Sequence, residues 1–500
     1  MAASDVSPSF RADRDTVMVG TRPLAAERPS GALHRAVIEQ VGRALAIVMP
    51  LVIAAVLSGW SEPHTLALAF GAGGVWFACV NASFSSSRTT LYALGPRVAV
   101  VRGALLGLVA TTALGVWLPS LSFGIGTSLA VAAVILLLVS AWETVVTRSL
   151  TPPTRLLVVG PRDPCTELIR ELNTSHETRF QLIGVVDDAE DAQNRGALVL
   201  GTTAELKRIV TEAKPDLVAL APGCNRPETF TQLLESAASG FRVLELAQFY
   251  EHAFGRVPVR DLTRAWFMSV LHLYQRPYAR YTKRTSDIAG ALILLAFSLP
   301  LFPILALLVR CTKGPVLLRQ TRVGEHGELF LMYKFRTMRV DAEAPGVAVW
   351  ATRDDPRVTS VGRIMRRFRL DELPQIWNVL IGDMSIVGPR PEPPEFIDQL
   401  LESVPFWARR HLVKPGITGW AQVKRGYTAD TKGSLEKLSY DLWYIRHRSL
   451  TTDAVICART LAAILRGEPY PRVKKTPEDF DPVATLVHHG PPTLVEPDRV

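Results

Sequence analysis

The chain has 500 residues, 48% of them hydrophobic, a formal net charge of +9 and five cysteines. That length exceeds one ordinary core and predicts about three folded units, while scattered cysteines with no CxxC pair exclude a zinc ribbon and a disulfide framework. The basic excess points to lipid head groups and phosphates, because no Lys/Arg-rich run with interleaved aromatics suggests nucleic acid.

Mean hydropathy is +0.17, but it is unevenly spread. Residues 1–43 are polar and arginine-bearing and read as a cytoplasmic N-terminal segment. A cleaved secretory leader would place its apolar core sooner. Residues 44–142 hold four apolar windows, at about 44–60, 65–82, 98–118 and 121–142. Each predicts a transmembrane helix, the second weakened by Gly71, Gly73 and Gly74. Arg28, Arg35, Arg43, Arg88, Arg97, Arg102, Arg148 and Arg155 flank alternate ends, and the loops near 61–64 and 119–124 lack Lys and Arg. Basic loops stay on the cytoplasmic side, so everything after 143 is expected there.

Residues 150–255 alternate short apolar runs, RLLVVG (155–160), LIGVVDD (182–188), LVLG (198–201), DLVALAP (216–222) and RVLEL (242–246), with helix-period segments. This predicts a Rossmann-like parallel sheet with helices on its faces. The first strand leads into Gly160-Pro161-Arg162-Asp163-Pro164-Cys165. The second and third glycines of a dinucleotide turn are missing, so the domain reads as structural or regulatory. Residues 256–282 read as a linker.

An apolar run, 288–310, follows, with Pro300 and Pro303 in its middle. Arg276, Arg280, Lys283 and Arg284 precede it, and Arg310, Lys313, Arg319 and Arg322 follow. Basic residues at both ends favour a membrane hairpin over a fifth, kinked crossing. Pro300 supplies the bend, and Ser298 is expected to satisfy a carbonyl freed by it.

Chemistry-bearing residues concentrate in 317–423: QTRVG (320–324), YKFRTM (333–338), LDELPQ (370–375), GDMSIVGPRP (382–391) and KPGITGWAQV (414–423). Candidate phosphate-binding cations are Arg322, Lys334, Arg336, Arg357, Arg366, Arg390 and Lys414. Adjacent Asp371 and Glu372, on a helix, point about 100° apart and cannot share one proton. They can divide labour, one attacking and one holding a metal, and an aspartate needs no base to become a nucleophile. Downstream, 441–466 reads as an amphipathic helix pair, either lying on the membrane surface or completing the core. Residues 467–500 are rich in proline and charge and predict a disordered tail.

With KRTSD (283–287), Pro300, DDPRVT.VG (354–362) and YDLWYI (440–445 with Tyr440 leading) added, residues 280–466 resemble the bacterial sugar transferases. These are the polyprenyl-phosphate hexose-1-phosphate, or monotopic phosphoglycosyl, transferases. The resemblance implies a mixed membrane protein: a four-helix transmembrane bundle, a Rossmann-like α/β domain, and an α/β catalytic domain over 283–466 with a re-entrant membrane helix at 288–310. It would lie in the bacterial inner membrane, multi-pass, with its catalytic domain cytoplasmic. The implied partners are a UDP-hexose, undecaprenyl phosphate and membrane lipid, with homo-oligomerisation left open. Asp371 would attack the β-phosphorus and expel UMP. Glu372 would hold Mg²⁺. Lys334, Arg366, Arg390, Lys414 and Arg322 would contact phosphate, Pro300 and Ser298 would form the hinge, and Lys283, Arg284 and Asp287 would lie on the lipid head-group side. The family usually has a small polar residue before LDE where this chain has Arg369. The rival readings are a non-catalytic nucleotide-sugar or lipid-binding scaffold, and an oxidoreductase or epimerase using the central domain. The intact acid pair and the missing glycines speak against them.

Overall fold

The computed structural model describes most of residues 32–467, leaving out 59–62, 88–95, 118–124, 173–179, 189–198, 269–280, 343–354, 425–430 and a few shorter stretches. The N-terminal segment up to residue 31, the tail from 468 and several basic loop residues, Arg28, Arg88, Arg276 and Arg280 among them, lie outside it.

Four helices come first: α1 Ala32–Leu57, α2 Pro63–Ser87, α3 Pro96–Trp117 and α4 Ile125–Val145. They share a core of Ile47, Leu51, Trp76, Val80, Val100, Ile135 and Val139. Their outer faces carry Leu45, Met49, Ile53, Leu105, Val109 and Leu137, all exposed. Helices apolar all round need an apolar solvent, which marks the chain as membrane-associated. Among the described residues, Val37–Leu57 and Gly126–Val145 are long and apolar enough to cross a membrane. The other two expected windows retain shorter apolar stretches, Ala69–Phe84 and Val98–Ala113. Inside the helical group, Arg43 donates to Glu143 (2.8 Å), Asn81 (2.6 Å) and Glu39 (2.7 Å), so its buried charge is fully engaged.

The central unit is a five-stranded parallel sheet: β1 Thr154–Val159, β2 Phe180–Val186, β3 Val199–Gly201, β4 Leu217–Leu220 and β5 Arg242–Glu245, in spatial order β3-β2-β1-β4-β5. Both faces are covered, as parallel sheets require. On β1, Leu156 and Val158 join one core with Phe249 and Tyr250, while Leu157 and Val159 join the other with Ile209 and Val210. The helices are α5 Leu206–Ala213, α6 Pro227–Glu235 and α7 Leu246–Ala253. At the β1 end the Cys165 thiol donates to the Gly160 carbonyl (3.5 Å).

The expected linker departs from a linker's behaviour. Val257, Val259 and Trp266 are buried in one cluster with Trp420, Leu438, Trp443 and Ile456, joined by Val98 of α3. These side chains are apolar, and a flexible tether would leave them in water.

The last unit begins with α8 Lys283–Ser298 and α9 Leu301–Arg310, bent by 66° at their junction. Pro300 caps α9. Pro303 falls in its first turn, where a helix has no intrahelical partner for an amide, so only Pro300 breaks the ladder. Ser298 does not perform the expected repair: its hydroxyl reaches Leu295 O (3.4 Å), which already accepts from Leu299 N (2.8 Å). The carbonyl that Pro300 leaves unbonded is that of Ala296, one residue on.

An antiparallel hairpin follows, β6 Leu317–Val323 with β7 Leu329–Phe335. Then come α10 Ser360–Arg367, a 3₁₀ turn Leu370–Glu372, α11 Gln375–Ile381, β8 Ser385–Val387, α12 Pro394–Ser403, β9 Gly416–Thr418 (parallel to β8), α13 Trp420–Lys424, α14 Thr431–His447 and α15 Leu450–Leu465. The terminal helix pair completes the core: Trp443, Tyr444 and Ile445 are buried, and Trp443 stacks on Trp420 at 4.8 Å. Leu461 and Leu465 of α15 remain exposed.

Candidate active site

Asp371 and Glu372 sit in the 3₁₀ turn between α10 and α11. Three residues per turn set neighbours about 120° apart, wider than the α-helical spacing expected from sequence. Arg369 enters the turn in the left-handed region, φ 53°. Both acids are buried, 9% and 3% exposed, yet their surroundings differ. Glu372 Oε1 accepts from Arg390 Nη1 at 2.9 Å, and Arg369 Nη1 lies 3.8 Å from Oε2, which accepts no hydrogen bond. Burial alone would raise the Glu372 carboxyl, but Arg390, Arg369 and Lys334 hold it well below the usual range. Asp371 has no such partner. Burial and then the Glu372 charge push it up, against the pull of Lys334, Arg366 and Arg390. Burial, then the charges of Arg390 and Arg322, push the Lys334 amine down. Adjacent acids driven apart in this way can take different roles.

Three of the seven candidate cations, Lys334, Arg366 and Arg390, thus act on Asp371, while a fourth, Arg322, acts on Lys334 and donates to Gln320 Oε1 (2.9 Å). Lys334 lies on β7 opposite Leu318 of β6, four residues from Arg322's register with Phe330. Arg366, in the last turn of α10, donates to Thr337 Oγ1 (2.9 Å). The helix is locked there because Thr359 Oγ1 caps Gly362 N (3.0 Å) and a Cβ at Gly362 would overlap Thr337 O.

Three candidates do other work. Arg336 is buried and donates to Pro315 O (2.8 Å), Met338 O (3.1 Å) and Thr312 Oγ1 (3.0 Å). Arg357 chelates Asp355 (2.6 Å). Lys414, expected at phosphate, donates to Gly382 O (2.6 Å), and Arg284 donates to Val379 O (2.6 Å) and Leu380 O (2.8 Å). Together these two cations satisfy the last carbonyls of α11, a favourable place for positive charge. Lys283 bridges Asp287 (3.0 Å) and Asp453 (2.7 Å), and Asp287 accepts from Ser385 Oγ (3.0 Å) and Ile386 N (3.1 Å). The KRTSD segment therefore turns these three charges inward, pinning α8 to α11, β8 and α15.

Sequence reasoning passed over Asn378. Its side chain is fully buried on α11, takes Tyr333 N (3.0 Å) and donates to Leu331 O (2.7 Å). It thereby imitates a third strand along the open edge of β7, fixing Lys334 relative to the acid turn. The available signal was an Asn inside a helix, where it is a poor former. The loops after β8 and before β9 also meet backbone to backbone. A Cβ at Gly388 would overlap Lys414 O, and one at Gly416 would overlap Gly388 N.

A buried acid pair under the influence of Lys334, Arg366, Arg369 and Arg390, beside a bent apolar helix pair, gives this membrane-associated chain a candidate group-transfer site. Residues 278–467 match the sequence model of the bacterial sugar transferase family. The chain is 42% identical over 186 residues to the UDP-glucose:undecaprenyl-phosphate glucose-1-phosphate transferase of Caulobacter vibrioides, covering 37% of this chain and 69% of that protein. It is 41% identical over 236 residues to the UDP-N-acetylgalactosamine-undecaprenyl-phosphate N-acetylgalactosaminephosphotransferase of Aeromonas hydrophila, 47% of this chain and 55% of that one. With the UDP-glucose:undecaprenyl-phosphate glucose-1-phosphate transferase of Escherichia coli K12 the identity is 45% over 296 residues, 56% and 61% of the two chains. The chain belongs to the bacterial sugar transferase family. It spans between 55% and 61% of the length of these last two relatives.

Proposed function

We propose that this protein transfers a hexose 1-phosphate from a UDP-sugar to undecaprenyl phosphate, releasing UMP, as the first membrane step of exopolysaccharide, capsule or O-antigen synthesis. The observation that carries this reading is the split environment of the acid pair, with Glu372 held by Arg390 and Asp371 left without a hydrogen-bond partner among the described residues. An Asp371 carboxylate oxygen attacks the β-phosphorus of the donor. The bond from that phosphorus to the bridging oxygen breaks, and UMP leaves with the electron pair. An oxygen of undecaprenyl phosphate then attacks the same phosphorus, the acyl-phosphate bond breaks, and Asp371 returns as a carboxylate with the sugar on a diphosphate lipid. Lys334, Arg322, Arg366 and Arg390 bind and orient the phosphates, placing positive charge where negative charge develops.

The residues fit Mg²⁺. Glu372 presents a buried oxygen that accepts no hydrogen bond. A single carboxylate is enough for such an ion, because Mg²⁺ is commonly bound through one or two carboxylates and keeps several waters. Mg²⁺ held by Glu372 would neutralise the diphosphate when bound. The bent α8–α9 pair supports a re-entrant hairpin that keeps this unit on the cytoplasmic face, where UDP-sugars are available, below a multi-pass helical bundle.

Incubation with a UDP-sugar panel alone, followed by rapid quench and intact mass spectrometry, tests the reading. A sugar-phosphate adduct on Asp371 is expected, with UMP released, and Asp371→Asn should lose both. Binding without adduct or UMP would instead favour a scaffold.

A further inference from the structure

Behind Arg390 lies a second charge cluster that the mechanism above does not use. The Arg410 and Asp441 side chains are each 2% exposed and joined at 2.9 Å. Glu392 stands 3.7 Å from Arg410 and 3.9 Å from Lys437. Removing so much charge from water is costly, and an apolar pair of similar volume would serve stability as well. The arrangement asks for another reason.

The loop that carries Arg390 supplies one. Pro389, Pro391 and Pro393 alternate with Arg390 and Glu392, so three of these five residues lack an amide to donate. Such a loop is held by its carbonyls. Pro389 O accepts from Gly416 N (2.9 Å) of β9, Glu392 O accepts from Val323 N (3.1 Å) of β6, and Arg390 O accepts from Arg410 Nη2 (2.8 Å). The middle clamp is a side chain: its Nη2 donates to Asp441 Oδ2 (2.9 Å) as well as to Arg390 O, and the Trp407 ring lies 4.4 Å from the guanidinium. The clamped residue is the one whose own guanidinium grips Glu372 at 2.9 Å.

We infer that Arg410, held by Asp441, is a positioning residue that sets Arg390 against Glu372 and the donor diphosphate. Neither Arg410 nor Asp441 touches the acid pair; both act through the Arg390 backbone. The inference rests on the phosphosugar-transfer reading and adds to it a requirement on α14, which supplies Asp441 from outside the site.

The test is a double-mutant cycle on the single-turnover rate of adduct formation. Asp441→Asn keeps shape and removes the charge, and should slow the adduct step about 10–100-fold, as loss of an orienting partner behind a functional ligand does. In an Arg390→Ala background the same change should cost less than about 3-fold, because the group it positions is gone. A general packing defect would cost the same in both backgrounds, and that additivity would overturn the inference; so would an unchanged rate in Asp441→Asn alone. If Asp441→Asn melts well below the parent, Arg410→Lys, which keeps the charge and loses the fork, is read by the same cycle. Parent protein that forms adduct alongside additive losses refutes only the positioning role, whereas parent protein that forms none refutes the transfer reading and this one with it.

Discussion

Two neighbouring acids of nearly equal intrinsic strength acquire opposite characters here through what surrounds them. Glu372 is gripped by Arg390, while Asp371 is buried beside a charged neighbour and rises. A raised carboxyl is protonated over a higher pH range than usual, so the nucleophile should be lost on the acid side well above the ordinary aspartate value of about 3.9. The cationic Lys334 opposes that rise. Lys334→Met should therefore shift the acid limb of single-turnover adduct formation to higher pH, besides weakening donor binding. A limb that stays in place at saturating donor would show that Lys334 does not act on Asp371. At this scale the candidates were legible as types, but proximity was not. Lys334, Arg366 and Arg390 converge on Asp371 from three separate stretches, whereas Arg336 and Arg357, equally basic, are consumed by local carbonyls and Asp355.

The short helix α11 shows how an element positions a site. Its C-terminal carbonyls are bound by Lys414 and Arg284 and its middle is bound to β7 through Asn378. Lys414→Met should lower thermal stability by about 1 kcal/mol, the scale of a charged hydrogen bond at a helix end. Its donor KM should move far less than that of Lys334→Met, and equal KM effects would restore Lys414 to the phosphate site. At the α8–α9 bend Pro300 lacks the amide that would continue the ladder. Pro300→Leu restores that donor, so the two helices are expected to straighten toward one crossing. A reporter fused after residue 315 should be cytoplasmic in the parent chain and shift in part to the periplasm in Pro300→Leu, with loss of adduct formation. A reporter that reads periplasmic in the parent would refute the hairpin. The hydrophobic periods of all five central strands were visible in sequence because β-branched and leucine runs bounded by Gly and Pro have few other readings. The 3₁₀ turn was not, since its geometry follows from how α10 and α11 dock.

At the scale of the molecule, the central sheet and the catalytic unit form a joined body. Glu251 of α7 accepts from Trp266 Nε1 (2.6 Å) and Arg446 (2.6 Å), with His447 at 3.4 Å, and its carbonyl accepts from Trp443 Nε1 (2.9 Å). Trp420 Nε1 reaches Gly255 O (2.6 Å), and Val257 N reaches Ser439 O (3.1 Å). Glu251→Ala strands a buried indole and an arginine. Allowing for the partial exposure of Arg446, it should cost about 2–4 kcal/mol, seen as a lower melting temperature of the whole protein. An unchanged melt would mean that the Glu251 carboxylate does not help to hold the two units together. A sequence scan divides the chain at 256–282 by composition, and misses this join because its partners lie almost two hundred residues apart in the chain.

What the sequence by itself determined was everything encoded in local order: the apolar windows, the five-strand alternation, the proline that bends α8 into α9, and the ordered motifs that carry the family resemblance. Each depends on residues a few positions apart, where propensity and periodicity act directly. Tertiary structure alone decided which charges meet. It took Lys414, Arg284 and Asp287 for helix ends and inter-element ties, buried Arg369 beside Glu372, and brought Asp441 of α14 under the arginine that grips the acid pair. The physical reason is that a charge acts through distance and burial, and neither is set until the chain has closed on itself.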